Sequence, residues 1–130
     1  MTTSDRLPTV RSYRDLIVWQ RAMELVAATH AVCRRLPALD RLVLRDQLMR
    51  AAVSIPANIA EGSGRLSKAD NVRHLLIARG SLRELETLLL VAGTLDPGDT
   101  PEYEAPMKVA DEVGRMLTAL VRKLGTRTVR

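Results

Sequence analysis

Two short stretches carry residue types that could do chemistry, and each also has a plainer structural reading. His30 and Cys33 lie three residues apart, a spacing that sets two ligands on one face of a helix. A structural metal site needs about four ligands, and the other histidine, His74, lies more than a helix away. The pair therefore reads as a packed imidazole and a buried thiol, not as half a metal site or a Cys–His nucleophile. Gly62-Ser63-Gly64-Arg65, with Ser67 opening a helix directly after it, resembles a phosphate-cradling loop. It lacks the Lys-Ser/Thr of a P-loop and no strand precedes it, so a helix-to-helix turn is the better assignment. Carboxylates are spread along helix surfaces without the Glu-x-x-His motifs of di-iron bundles. No cofactor, metal or catalytic constellation is expected, and the chain reads as a non-enzyme.

A polar stripe is more informative. Arg50, Ser54, Asn58 and Glu61 recur at steps of four, four and three beside an apolar face. Ser81 and Glu84 repeat the pattern farther on, next to Gly80, whose missing side chain allows close approach. A solvated face has this spacing. So does an interhelical or oligomer-seam network, in which Arg50 meets Glu84 or Glu86 and Asn58 satisfies backbone freed by Pro56.

Four helices are needed to position these residues. The first opens at Ser12, paired with Asp15 as in a capping box, and its seam reads Leu16, Trp19, Met23, Val26, His30 and Cys33 up to Pro37. The second runs from about Asp40 to Glu61, with Leu44, Leu48, Ala52, Ile55 and Ile59 on one face and a kink at Pro56. Ser67 caps the third, with Asp70 three residues on. Leu75, Ala78, Leu82, Leu85, Leu89 and Ala92 then form the clearest heptad of the chain. After a turn at Pro97-Gly98, Thr100-Pro101-Glu102 starts the fourth. It carries Tyr103, Met107, Ala110, Val113, Leu117, Leu120 and Leu124, and Gly125 closes it. Residues 1–11 and 126–130 read as basic tails around a domain spanning 12–125. Short connections make neighbouring helices antiparallel, so the expected fold is all-α, an up-down-up-down four-helix bundle. Ile17, Val18, Leu25, Leu76, Leu88 and Val91 fall off these seams, and a second buried face through self-association accounts for them.

Composition narrows the function classes. The chain is 46% hydrophobic and 27% charged, but only 2% aromatic, with one Trp, two Tyr and no Phe. Folds that stack bases on aromatic platforms are therefore excluded, and an all-β fold is disfavoured. The sole cysteine allows no internal disulfide, the N-terminus shows no apolar leader, and no apolar run spans a membrane. A cytoplasmic protein with no membrane partner is expected. The net charge of +5 suits a nucleic-acid partner without requiring one.

The run from Arg50 to Arg65, RAAVSIPANIAEGSGR, closely resembles the signature of the four-helix-bundle family called 23S rRNA intervening-sequence proteins. Tyr13-Arg14-Asp15-Leu16 with Trp19, and the run from Gly80 to Thr87, add to the resemblance, which covers residues 12–124. It implies a homopentameric barrel of up-down bundles and carries over no catalytic residue. The chain is also similar to the accessory variability proteins of diversity-generating retroelements, which implies nucleic acid and a reverse transcriptase as partners.

Antiparallel helices also place the charge. The end that gathers the termini, the end of the second helix and the start of the third holds Arg6, Arg11, Arg14, Arg65, Lys68, Arg73, Arg122, Lys123, Arg127 and Arg130. Against these stand Asp5, Asp15, Glu61 and Asp70, a net of +6. The opposite end has four arginines against six carboxylates, a net of −2. The expected nucleic-acid contacts are Arg11, Arg14, Arg65, Lys68, Arg73, Arg122, Lys123 and Arg127, acting on phosphates without base readout. A structural or protein-binding module with a merely solubilising basic surface is the alternative.

Overall fold

The computed structural model describes the backbone of residues 12–36, 38–96 and 103–129, and the side chains of 12–36, 43–96 and 103–125. Four α-helices dominate: α1 (Ile17–Arg35), α2 (Ala38–Ser63), α3 (Lys68–Leu95) and α4 (Glu104–Val129). No strand occurs among the described residues. Pairs across each seam set the directions. Between α2 and α3, Ser54 meets Ser81, Asn58 meets His74 and Gly62 abuts Asn71. Between α3 and α4, Leu82 touches Gly114, while Leu90 and Glu104 line one groove. Arg21 of α1 pairs with Glu112 of α4 while Ile17 shares a groove with Ala119, and Cys33 of α1 reaches the Arg45 carbonyl of α2 while Leu16 shares a cavity with Ile59. Residue numbers rise on one helix as they fall on its neighbour, so all four pairs are antiparallel. Each helix packs on two others, and α2 with α3 makes the most extensive interface. The result is an antiparallel four-helix bundle.

The expected seams of α2 and α3 are the observed ones. Leu44, Leu48, Ala52, Ile55 and Ile59 are buried on α2, and Leu75, Ala78, Leu82, Leu85, Leu89 and Ala92 on α3. The Ser67 hydroxyl accepts from the Asp70 N–H at 3.1 Å, as a cap should. Helix α2 continues through Pro56, which is buried.

Helix α1 departs from expectation. Ser12 caps a 3-10 turn, Tyr13–Asp15, by accepting from the Arg14 N–H, and Leu16 is extended, so the α-helix begins only at Ile17. The buried stripe is Val18, Ala22, Leu25, Thr29, Val32 and Cys33. That is one residue, or about 100°, from the expected seam. Met23 is exposed, and so is His30. Two adjacent apolar stripes compete on this helix. The one that wins is aliphatic except for Cys33 and for Thr29, whose hydroxyl donates to the Leu25 carbonyl at 2.8 Å. The losing stripe would have buried an imidazole. Trp19 and Val26 stay half-buried against the core, and Tyr13 meets Trp19 edge-on with centroids 5.3 Å apart.

At the other end of the chain, α4 passes Gly125 and runs to Val129, so part of the expected tail is helical. Tyr103, Ala110, Val113 and Leu117 are buried, with Met107, Leu120 and Leu124 packed against them. Residues 1–11, Pro37, the Pro97-Gly98 turn and the Thr100-Pro101-Glu102 start lie outside the described residues.

The surplus apolar residues shrink accordingly. Val18 and Leu25 belong to the core and Leu88 packs against it, whereas Ile17, Leu76 and Val91 are exposed. Val53, Ile77, Leu90 and Leu95 join them on outer faces of α2 and α3.

Glycines show where helices press together. A Cβ on Gly62 would sit 2.8 Å from the His74 Cβ and 3.2 Å from the Asn71 carbonyl oxygen. Gly80, the expected point of close approach, has open space around it. The tight crossing lies at the α2–α3 turn instead. Gly62→Ala is therefore expected to cost about 1–3 kcal/mol through overpacking. Gly80→Ala should raise stability by about 0.5–1 kcal/mol through helix propensity. Urea unfolding measures both, and equal effects at the two sites would contradict the assigned crossing.

Candidate functional site

Two polar regions are candidates for function, and both grow out of the α2–α3 pair. The first is a chain of hydrogen bonds along their seam. Ser54 Oγ and Ser81 Oγ are 2.8 Å apart, and Asn58 Nδ2 donates to the Ser54 carbonyl at 2.9 Å. That carbonyl can only accept, which fixes the amide orientation and turns Asn58 Oδ1 toward His74 Nδ1 at 3.0 Å. Nδ1 must then donate to that oxygen, and Nε2 lies 3.5 Å from the Arg73 guanidinium. His74 is only 6% exposed, so these contacts satisfy a buried imidazole.

Three of the expected network residues, Ser54, Asn58 and Ser81, thus come together, and His74 joins them unannounced by its spacing. Four do not. Arg50 is exposed and reaches Asp46 on its own helix at 3.4 Å, not Glu84 or Glu86. Glu86 pairs with Arg83 at 3.0 Å, Glu61 pairs with Arg65 at 2.8 Å, and Glu84 is exposed. Long side chains find partners one turn away more cheaply than across a seam that small residues have closed. Asn58 does not repair the proline gap either. Pro56 frees the Ala52 carbonyl, and the amide donates two residues farther on.

The second region is the basic end. Leu16, Ile59, Leu75 and Leu120 share one cavity there, so the start of α1, the end of α2, the start of α3 and the end of α4 converge. These segments carry Arg14, Arg65, Lys68, Arg73, Arg122 and Lys123, all exposed. Their charges are not equally available. Arg65 is paired with Glu61, Arg73 lies 3.8 Å from Asp70, and the Arg14 guanidinium sits 5.8 Å from the Tyr13 ring centre. Lys68 and Lys123 have no ion-pair partner among the described residues. Arg11 lies outside the described residues, and of Arg127 only the backbone is described. Arg122 also lines a groove of ≈330 Å³ between α3 and α4, together with Arg83, Arg115 and Thr118.

With the bundle and its sites defined, comparison with known proteins decides the family. Residues 14–119 match the 23S rRNA-intervening sequence protein family. The chain belongs to that family. The fold agrees: a crystal structure of a protein of unknown function from the S23 ribosomal protein family of Bacteroides thetaiotaomicron superposes with a TM-score of 0.75. That protein is 23% identical, and the similarity covers 82% of this chain and 99% of the other. None of the curated proteins matches. Within this family member, no group of three or more His, Cys, Asp or Glu comes together as a metal site among the described residues. No described helix is long and apolar enough to cross a membrane.

Cys33 is fully buried, with its Sγ 4.0 Å from the Arg45 carbonyl. Burial pushes its thiol above the usual value, and the Arg45 cation offsets this only in part. Native protein at neutral pH should therefore resist iodoacetamide, and mass spectrometry should find Cys33 modified only after denaturation. The seam yields a second expectation. Asn58→Ala should cost about 1–3 kcal/mol by leaving the buried His74 N–H without an acceptor. A double-mutant cycle on Ser54 and Ser81 should show about 0.5–1.5 kcal/mol of coupling, and one on Arg50 and Glu84 none.

Proposed function

We propose that this family member is a non-enzymatic helical adaptor that holds RNA or DNA at its basic end through phosphate contacts. The observation that carries this reading is the convergence of four helix termini bearing six exposed cations, two of them lysines without carboxylate partners among the described residues. An ammonium without an internal partner attracts phosphate more strongly than one already neutralised, because no existing ion pair must be given up. Aromatic side chains contribute little here: Trp19 and Tyr13 pack on each other and Tyr103 is buried. Self-association is part of the proposal. The exposed apolar residues of α2 and α3 offer an outer face, and a ring of parallel subunits would merge the basic ends into one rim. The pentamer and a reverse-transcriptase partner follow from the family resemblance, and a cytoplasmic setting suits the whole.

Fluorescence anisotropy with a labelled RNA tests the central claim. Binding should weaken steeply with salt. Replacing Lys68 and Lys123 together by Gln should reduce the slope of log K against log salt by about 1.4, at roughly 0.7 per phosphate contact on a single strand. Charge reversal at Arg122 and Lys123 should weaken binding further. Absence of binding at low salt, or indifference to these changes, would leave the structural or protein-binding reading in its place.

A further inference from the structure

The basic end contains a feature that phosphate attraction alone leaves unused. Leu16, Ile59, Leu75 and Leu120 floor a cavity of ≈260 Å³ whose polar lining consists of Ser63, Asn71 and Lys123. Those three side chains make no hydrogen bond or ion pair among the described residues. Asn71 is half-buried on the cavity wall, so its amide is within reach of a ligand that enters. An aliphatic slot with a hydroxyl, an amide and an ammonium on its wall has the make-up of a ligand pocket.

We infer that this cavity takes one unstacked nucleobase of a single-stranded nucleic acid, with an adjoining phosphate on Lys123. The inference rests on the nucleic-acid reading above. Size supports it: a cavity of about 150 Å³ suffices for benzene, so ≈260 Å³ accommodates one fused-ring base. The polar groups support it as well. An asparagine amide donates and accepts side by side, which matches the edge of a base. Lys123 supplies the charge that a backbone phosphate requires. An acyl chain with a carboxylate would use the floor and the lysine but leave the amide and the hydroxyl unpaired. No aromatic residue lines the slot, so the base is held by aliphatic contact and by its edge, not by stacking. Single strands, loops and ends present such bases, whereas duplexes do not.

Anisotropy titrations at one salt concentration test this with three RNAs: a short single strand, the same strand with abasic residues, and a duplex. The base-bearing strand should bind about tenfold more tightly than the abasic one, the scale of a few neutral hydrogen bonds. Asn71→Ala and, independently, Ser63→Ala should each remove several-fold of that preference and leave abasic and duplex binding unchanged. Lys123→Gln should weaken both single strands alike. Circular dichroism confirms that each variant is folded. Equal binding of base-bearing and abasic strands, or uniform weakening of every RNA by Asn71→Ala, would overturn the base slot while leaving the electrostatic interface intact. Competition by decanoate that does not depend on Asn71 would mark an acyl-chain pocket and overturn it as well. Failure of every RNA to bind at low salt would remove both proposals.

Discussion

The close approach of α2 and α3 at their shared turn is the constraint on which the remaining architecture depends. Gly62 lets the last turn of α2 lie against Asn71 and His74 without a side chain between them. With the helices this near, Asn58 can span to His74, and Ser54 can touch Ser81 two turns farther along. A longer side chain at Gly62 would separate the helices, lengthen those hydrogen bonds and leave a buried imidazole unsatisfied. The seam is closed by short polar side chains, and in a low-dielectric setting such a network sets register because its hydrogen bonds form together only in one alignment of the helices.

The same turn creates the basic end. Because α2 stops at Ser63 and α3 starts at Lys68, Arg65 and Lys68 are carried on a very short connection beside the start of α1 and the end of α4. Arginines there tend to be engaged already, with Glu61 or Asp70 one turn away. The lysines are not. The positive charge this end presents therefore depends less on the total of +5 than on which cations the helices leave unpaired among the described residues.

Legibility in the sequence varied with the strength of the competing signals. On α3 a single heptad of Leu and Ala admits one seam, and it is the one observed. On α1 two apolar stripes lie side by side, and burying Val18, Leu25 and Val32 instead of Met23 and His30 turns on which stripe packs with fewer unsatisfied polar atoms. The start of α1 slipped for a related reason: Ser12 has the chemistry of a cap, but the extended backbone at Leu16 confines it to a 3-10 turn. Glycines were ambiguous too. Gly80 and Gly62 both sit beside polar residues, and only the packed structure shows which of them has a neighbour where its Cβ would be.

Composition and periodicity by themselves determined the helical class, the number of helices, their antiparallel order and the end at which positive charge collects. Each follows from local preference and short connections, which act over a few residues. Tertiary structure decided which atoms meet. It placed His74 against Asn58, sent Arg50 to Asp46, left Lys68 and Lys123 unpaired, and opened a slot above Leu75 that no spacing along the chain could announce. Those outcomes depend on distances between helices and on competition among partners, quantities that exist only once the bundle has closed.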